Sequence, residues 1–375
     1  MSMPRYQYLR HRITAADRPR VIEHLQRLRA QLDRDIPDKD SGSNLLLATW
    51  NIRDLGKPGP GWGWGRRLPE SHFYIAEILS RFDFVAVQEV NELDEWNKVM
   101  DILGPDWDFI ATDVTDKALG GNGERLLYLY DKRKVWFQNI AGEIVLPNDM
   151  LVTDVTGDSD EALYRGKQFR RTPFQTAFQS GWFKFDICTV HLYYGEDSGS
   201  KLRERIAEID RIARYLAKRA EQSLKAGRAL ILLGDFNIVH PEHETMKALT
   251  RHGFVTPKAL AAPSNLDRTK YYDQIAFMTE PAVLEYIDRP AANGGAANVG
   301  IFEIFESVFR DGAAGADDMA DYEAPLRKTS KGATGDLREA YRDWRTWQIS
   351  DHKPMWVRIN TNGATGYLDR LKAGG

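Results

Sequence analysis

ALILLGDFNIVH, residues 229–240, decides how the rest of the chain is read. Five apolar residues, long enough for a buried strand, run into Gly234, Asp235, Phe236 and Asn237, so a core element stops by presenting a carboxylate beside an amide. Taken alone this is weak, because Asp and Asn are common turn formers. Its weight comes from repetition.

Outward from this stretch the same event recurs. LLLATW at 45–50 delivers Asn51, FDFVAVQEV at 82–90 delivers Gln88 and Glu89, and FKFDICTVHLYYG from 183 delivers His191. YYDQIAFM surrounds Asp273, and Ser350, Asp351 and His352 stand directly before the apolar strand KPMWVRI. Further β-rich runs lie at 125–131, 135–146 and 172–179. Between them the period changes to helical. Residues 14–36 read as an amphipathic helix with Thr14 as N-cap, Asp17 in a capping box, and Val21, Leu25, Leu28 and Leu32 on one face. Helices are also expected around 70–81 and over 201–225, the latter striped by Leu202, Ile206, Ile209, Ala213, Leu216 and Ala220. Sheets gather strand ends at one rim, so these polar residues are expected to converge on one pocket. Strands with helices between them read as an α/β fold class.

Composition bounds the chemistry. The 375 residues are 42% hydrophobic and 28% charged, with a formal charge of −3 and pI near 6.3, which is ordinary globular protein without a global basic excess for nucleic acid. A lone cysteine, Cys188, excludes a disulfide framework and a cysteine metal cluster. The start, MSMPRYQYLRHR, lacks a secretory apolar stretch and no segment approaches a membrane span, so a cytoplasmic location is expected, with non-classical export left open. The sequence holds no GxxxxGK[ST], GxSxG or HExxH pattern, which leaves P-loop, serine-hydrolase and zincin chemistry unsupported. Carboxylates and amides without thiolate suit Mg²⁺, Mn²⁺ or Ca²⁺, and histidines beside carboxylates suit proton transfer. Together these are the parts of phosphoester hydrolysis.

WNIRDLG at 50–56, VQEV at 87–90, VHL at 190–192, GDFN at 234–237, YDQI at 272–275 and SDHKP at 350–354 are similar, in order, to the motifs of the endonuclease/exonuclease/phosphatase superfamily, the fold of deoxyribonuclease I. NGERLLYLY, with Glu124, and RRTPF, with Arg171, resemble the deoxyribonuclease I branch. The resemblance implies a four-layer α/β/β/α sandwich of two mixed sheets, and it implies roles. His191, oriented by Glu124, and His352, oriented by Asp273, would be the acid/base imidazoles. Glu89 and Asn51, with Asp351 near them, would form a divalent metal site, with Mg²⁺ first and Mn²⁺ or Ca²⁺ as alternatives. Asp235 and Asn237 would orient water and bind the scissile phosphate or a second metal, and Arg171 and Asn51 would contact the substrate. The implied function is a metal-dependent phosphodiesterase, foremost a DNA endonuclease of low sequence specificity with DNA as its partner and no membrane. Alternatives are a phosphatase, a phospholipid phosphodiesterase of the sphingomyelinase kind, and a non-catalytic scaffold.

Departures narrow this. Abasic-site endonucleases tend to carry asparagine where this chain has His191, and Asn91 and Asn122 stand where deoxyribonuclease I has groove-contacting Arg and Tyr. Expected boundaries are an N-terminal helical extension over 1–40, the domain over 41–360, and a tail over 361–375. An insertion at about 285–345 contains a mobile Gly/Ala-rich part at 291–316 and then Arg327, Lys328, Lys331 and Arg338. Trp62, Trp64, Arg66 and Arg67 could meet bases, lipid or phosphate, or simply pack, and Tyr193 and Tyr194 could line the pocket or join the core. Arg345 could reach the site, whereas Trp344 and Trp347 look like packing residues. The loop setting of His240 and His243 argues against a metal pair. Oligomeric state stays open.

Overall fold

Residues 3–40, 42–56, 63–114, 123–151, 168–290, 297–313 and 315–372 are described by the computed structural model. Their β-rich runs form two mixed sheets. In the first, the order is β10 (Val299–Ile301), β11 (Met355–Asn360), β1 (Asn44–Leu55), β2 (Phe84–Val90), β4 (Arg125–Asp131) and β3 (Trp107–Ala111). The second runs β5 (Trp136–Glu143), β6 (Phe174–Ser180), β7 (Phe183–His191), β8 (Arg228–Asp235) and β9 (Asp273–Met278). β1/β2 and β7/β8 are parallel, and the remaining pairs are antiparallel.

Three apolar layers follow from the strand faces. Leu45, Leu47, Phe84 and Tyr128 of the first sheet meet Phe178, Phe185, Ile231 and Phe277 of the second. The outer face of the first sheet is covered by helices Arg18–Asp35, Pro69–Leu79, Leu93–Leu103 and Leu337–Gln348, whose Leu28, Phe73, Trp96 and Trp344 share one cluster with Trp50 and Val87. Helix Gly199–Lys225 covers the second sheet through Ile209, Ile212 and Leu216. Strands sheathed on both faces explain why the runs at 45–50 and 229–233 are continuously apolar. Gln88 crosses the interlayer, donating to Thr49 Oγ1 at 3.1 Å and to Thr189 Oγ1 at 2.9 Å, so one buried amide sets the two sheets against each other.

Several expectations shift. The 14–36 helix begins at Arg18, with Pro19 in its first turn. Thr14 instead closes the preceding turn, its Oγ1 accepting from Asp17 N at 3.2 Å. A helix at Leu93–Leu103 and the edge strand β3 were not expected. Residues 291–296 and 314 lie outside the described residues, but the rest of the Gly/Ala-rich part is packed: β10 pairs with β11, and Phe302, Ile304, Val308 and Phe309 are buried. Its large apolar side chains outweigh the glycines.

Candidate active site

Strand register assembles the site. His191 on β7 pairs with Asp235 on β8, which pairs with Asp273 on β9, so three polar residues stand abreast at one sheet margin. In the first sheet Asn51 pairs with Gln88, after which the β1/β2 register breaks between Asn51 and Leu55. Here Arg53, Asp54 and Glu89 take positive φ of 51°, 50° and 63°, and on β8's exit Asn237 takes 54°. Left-handed backbone is costly for non-glycine residues, and its gathering at one margin marks a built site. Arg67 offsets part of the cost. Its half-buried guanidinium donates to the carbonyls of Ile52 at 2.7 Å, Arg53 at 2.6 Å and Asp54 at 3.3 Å, and desolvation lowers its pKa to about 10.

Two imidazole–carboxylate pairs face each other across Asp235. His191 Nδ1 lies 2.6 Å from Glu124 Oε1, and His352 Nδ1 lies 2.8 Å from Asp273 Oδ2. Their Nε2 atoms reach Asp235 Oδ2 at 3.6 and 3.7 Å. Asn51 Nδ2 donates to Glu89 Oε1 at 2.8 Å and to Asp235 Oδ2 at 3.1 Å, while Glu89 Oε2 accepts from Asp54 N at 2.8 Å. Ser350 ties the last motif in, donating to Asn51 O at 2.6 Å and accepting from His352 N at 3.0 Å.

The electrostatics are uneven. Burial disfavours the charged imidazole of His352, but Asp273 and Asp235 more than offset it and hold its pKa well above the usual histidine range. His191 is also raised: burial and Arg171 push it down, and Glu124 and Asp235 outweigh them. Burial raises Glu89 and Asp273 despite their histidine neighbours.

The expected residues Asn51, Glu89, Glu124, His191, Asp235, Asn237, Asp273 and His352 thus come together. Arg171 lies beside them, but its Nε sits 2.6 Å from Glu124 Oε1. Asp351 is half exposed and lies 3.5 Å from Arg53, whose guanidinium stacks on Trp347 at 4.0 Å. Arg345 is engaged within the insertion, by Asp311 and the Phe309 carbonyl. Trp64 and Trp344 are buried packing residues, and Asn122 and Trp62 lie outside the described residues. His243 caps helix Glu244–Thr250 by accepting from Thr245 N. Arg67, read as a phosphate contact or a packing residue, is half-buried with its guanidinium turned onto backbone carbonyls, the packing alternative. Ser350 escapes sequence reasoning as a residue of the site, although a hydroxyl inside the SDH run is the available signal.

Comparison with known proteins follows the same lines. A family model described as Endonuclease/Exonuclease/phosphatase family matches residues 48–352. The chain belongs to this family. Enzymes of the endonuclease/exonuclease/phosphatase family are generally divalent-metal-dependent phosphoester hydrolases. A protein named Deoxyribonuclease from Thioalkalivibrio sp. (strain K90mix) is 29% identical over 227 residues, 59% of this chain. The match spans about half of that relative's length, 51%. Among solved structures, the human Nocturnin catalytic domain with bound sulfate anion aligns with a TM-score of 0.50 at 14% identity, over 88% of this chain and 98% of that one, a likeness of fold.

The donor set fits the divalent cation the family implies. Glu124, Asp235 and Asp273, all buried, and the partly buried Glu89 place four carboxylates against two imidazoles and Arg171, and Glu89 lies 3.6 Å from His191. Ligand-type atoms of Glu89, Glu124 and His191 lie within 4.8 Å of one another, as do those of Asp235, Asp273 and His352. Oxygen and imidazole donors without thiolate suit Mg²⁺ or Mn²⁺.

Proposed function

We propose that this protein is a divalent-metal-dependent phosphodiesterase that cleaves DNA internally with little sequence preference. The observation that carries the reading is the approach of two carboxylate-backed imidazoles to the same oxygen, Asp235 Oδ2, at 3.6 and 3.7 Å. Phosphoryl transfer by water requires a proton acceptor on one side of phosphorus and a donor on the other, and two oriented histidines about a central carboxylate supply both. Asp235 would accept a hydrogen bond from the attacking water and aim it. Glu124 and Asp273 would hold the Nδ1 protons, which keeps each Nε2 directed at the phosphate and stabilises each imidazolium. Asn237, left-handed and fixed by its backbone N–H to Asp235 Oδ1 at 2.9 Å, would face a phosphoryl oxygen. Glu89 and Asn51 would hold the cation, which supplies charge neutralisation at the phosphoryl and leaving oxygens. DNA as substrate draws on the deoxyribonuclease relative, with 51% of that protein matched. Domain limits of 41–360 with an N-terminal extension are part of this proposal.

Supercoiled plasmid incubated with purified protein and Mg²⁺ or Mn²⁺, beside EDTA and His191→Ala controls, tests the reading. Metal-dependent nicking lost in the variant is expected. Intact plasmid with every metal, from folded protein, would remove the nuclease reading and direct attention to phosphomonoesters and phospholipids.

A further inference from the structure

Arg205 lies on the Gly199–Lys225 helix with no solvent exposure, a costly place for a guanidinium. Its donors do not serve that helix. Nε donates to Tyr194 O at 2.7 Å, Nη2 to Glu196 O at 2.7 Å, and Nη1 to Asn237 O at 2.8 Å. Asp197 Oδ1 lies 3.3 Å from both Nη atoms, and the guanidinium stacks on Tyr194 at 4.6 Å. Tyr194 to Asp197 form the loop that leaves His191, and Asn237 leaves Asp235. A third loop joins through Asp197, whose Oδ2 takes Lys270 Nζ at 2.5 Å, three residues before Asp273. Phe236 N also bonds Tyr272 O at 2.9 Å, and Asn237 Nδ2 bonds Leu192 O at 2.9 Å.

We infer that Arg205, through Asp197 and Lys270, is a clasp that positions the three loops carrying His191, Asn237 and Asp273 for catalysis. Three considerations support this. A buried cation whose carboxylate partner, Asp197, is shared with a lysine is a poor stabilising device, since desolvation offsets most of the attraction. Its carbonyl targets sit on separate loops, so its geometric effect is to fix distances between loops. One target, Asn237, has φ +54°, a conformation that needs outside support. Arg205 touches no reacting atom. It acts through Asn237 and through the backbone that follows His191.

The inference rests on the phosphodiesterase reading, and the test separates the two. Wild type, Arg205→Lys and Lys270→Met are compared on plasmid and on bis(p-nitrophenyl) phosphate, with Mg²⁺ or Mn²⁺, alongside melting curves. Lysine keeps the charge but cannot span three carbonyls. Arg205→Lys is expected to lower kcat about 10²-fold on both substrates with KM within a few-fold, because a misplacement of about 1 Å costs that much rate. Lys270→Met, at a partly exposed site, is expected to fold normally and lower kcat by a smaller factor in the same direction. Unchanged kcat in both variants overturns the clasp and leaves the phosphodiesterase standing. A kcat loss that merely follows melting temperature, with Lys270→Met silent, likewise assigns Arg205 to stability and overturns it. A wild type inactive on both substrates overturns the phosphodiesterase reading and the clasp with it.

Discussion

At the scale of residues, the site is a set of charges that neutralise one another incompletely. His191→Ala and His352→Ala should each reduce kcat roughly 10²–10⁴-fold, the range for positioned acid–base groups, with little change in melting temperature. The double variant should lose little beyond the worse single one, because groups acting as a unit are non-additive. Steady-state kinetics on the four proteins checks both statements, and a fully multiplicative double variant would separate the two imidazoles into independent roles. Glu89 gives a second prediction that needs no turnover. Its carboxylate is partly buried, raised in pKa mainly by desolvation and bonded to Asn51 and Asp54, so a bound cation should relieve it. Mg²⁺ or Mn²⁺ should therefore raise the melting temperature of the wild type, and Glu89→Gln should abolish most of that rise. An equal rise in the variant would move the cation elsewhere. Asn51, Glu89, His191 and Asp235 are legible in sequence because each closes an apolar run, and Asp273 and His352 because each stands at the entrance of one, whereas Glu124 and Arg171 come only with the family resemblance. Arg67 is not legible, since nothing local distinguishes an arginine that binds phosphate from one that satisfies carbonyls across 13–15 residues of chain.

At the scale of elements, function depends on how strands end. Gly234 has φ +126°, and a Cβ there would stand 2.1 Å from Val190 O, so β7 and β8 approach closely just where His191 and Asp235 leave the sheet. Gly234→Ala should destabilise the fold by roughly 1–3 kcal/mol through overpacking and strain, and should cost activity beyond what the unfolded fraction explains. Urea unfolding with activity measured at low temperature checks this; full activity in the folded fraction would show that the close approach serves packing alone. The continuous apolar runs made β1, β2, β7 and β8 readable, whereas the Leu93–Leu103 helix was overlooked although Trp96, Val99, Ile102 and Leu103 are its buried face and Gly104, at φ +92°, its stop. Its signal is short and follows directly on the stronger VQEV motif. The insertion was misjudged for a related reason: glycine and alanine density hid Phe302, Ile304, Val308 and Phe309, whose burial is a long-range outcome.

Across the whole molecule, the first sheet's outer layer joins distant parts of the chain, and a buried histidine sits at the junction. His24, on Arg18–Asp35, meets Tyr322 of helix Met319–Arg327, Nδ1 to hydroxyl, at 3.1 Å, and Asp318 and Asp321 lie 3.9 and 3.8 Å from its Nε2. Burial is the main reason its pKa is lowered to about 4; Asp318 opposes, but Arg27, Arg20 and Arg310 add to the fall. The unfolded chain holds its His24 proton up to about pH 6.5, so between about 6.5 and 4 unfolding takes up a proton and stability falls as the pH falls. His191 and His352 act oppositely: with raised folded-state values, their stabilisation is complete below about pH 6.5 and is lost as the pH climbs through those values. His24 therefore contributes to the acid limb above pH 4, and His243, whose pKa burial also lowers, acts in the same sense. His24→Gln should flatten that limb, removing a slope that for one proton cannot exceed about 1.4 kcal/mol per pH unit. Urea titrations of both proteins at pH 7, 6 and 5 measure the difference. Parallel curves would mean that another group carries the acid limb, whereas a flatter variant would show that the N-terminal helix and the insertion are locked together by an imidazole that must stay neutral.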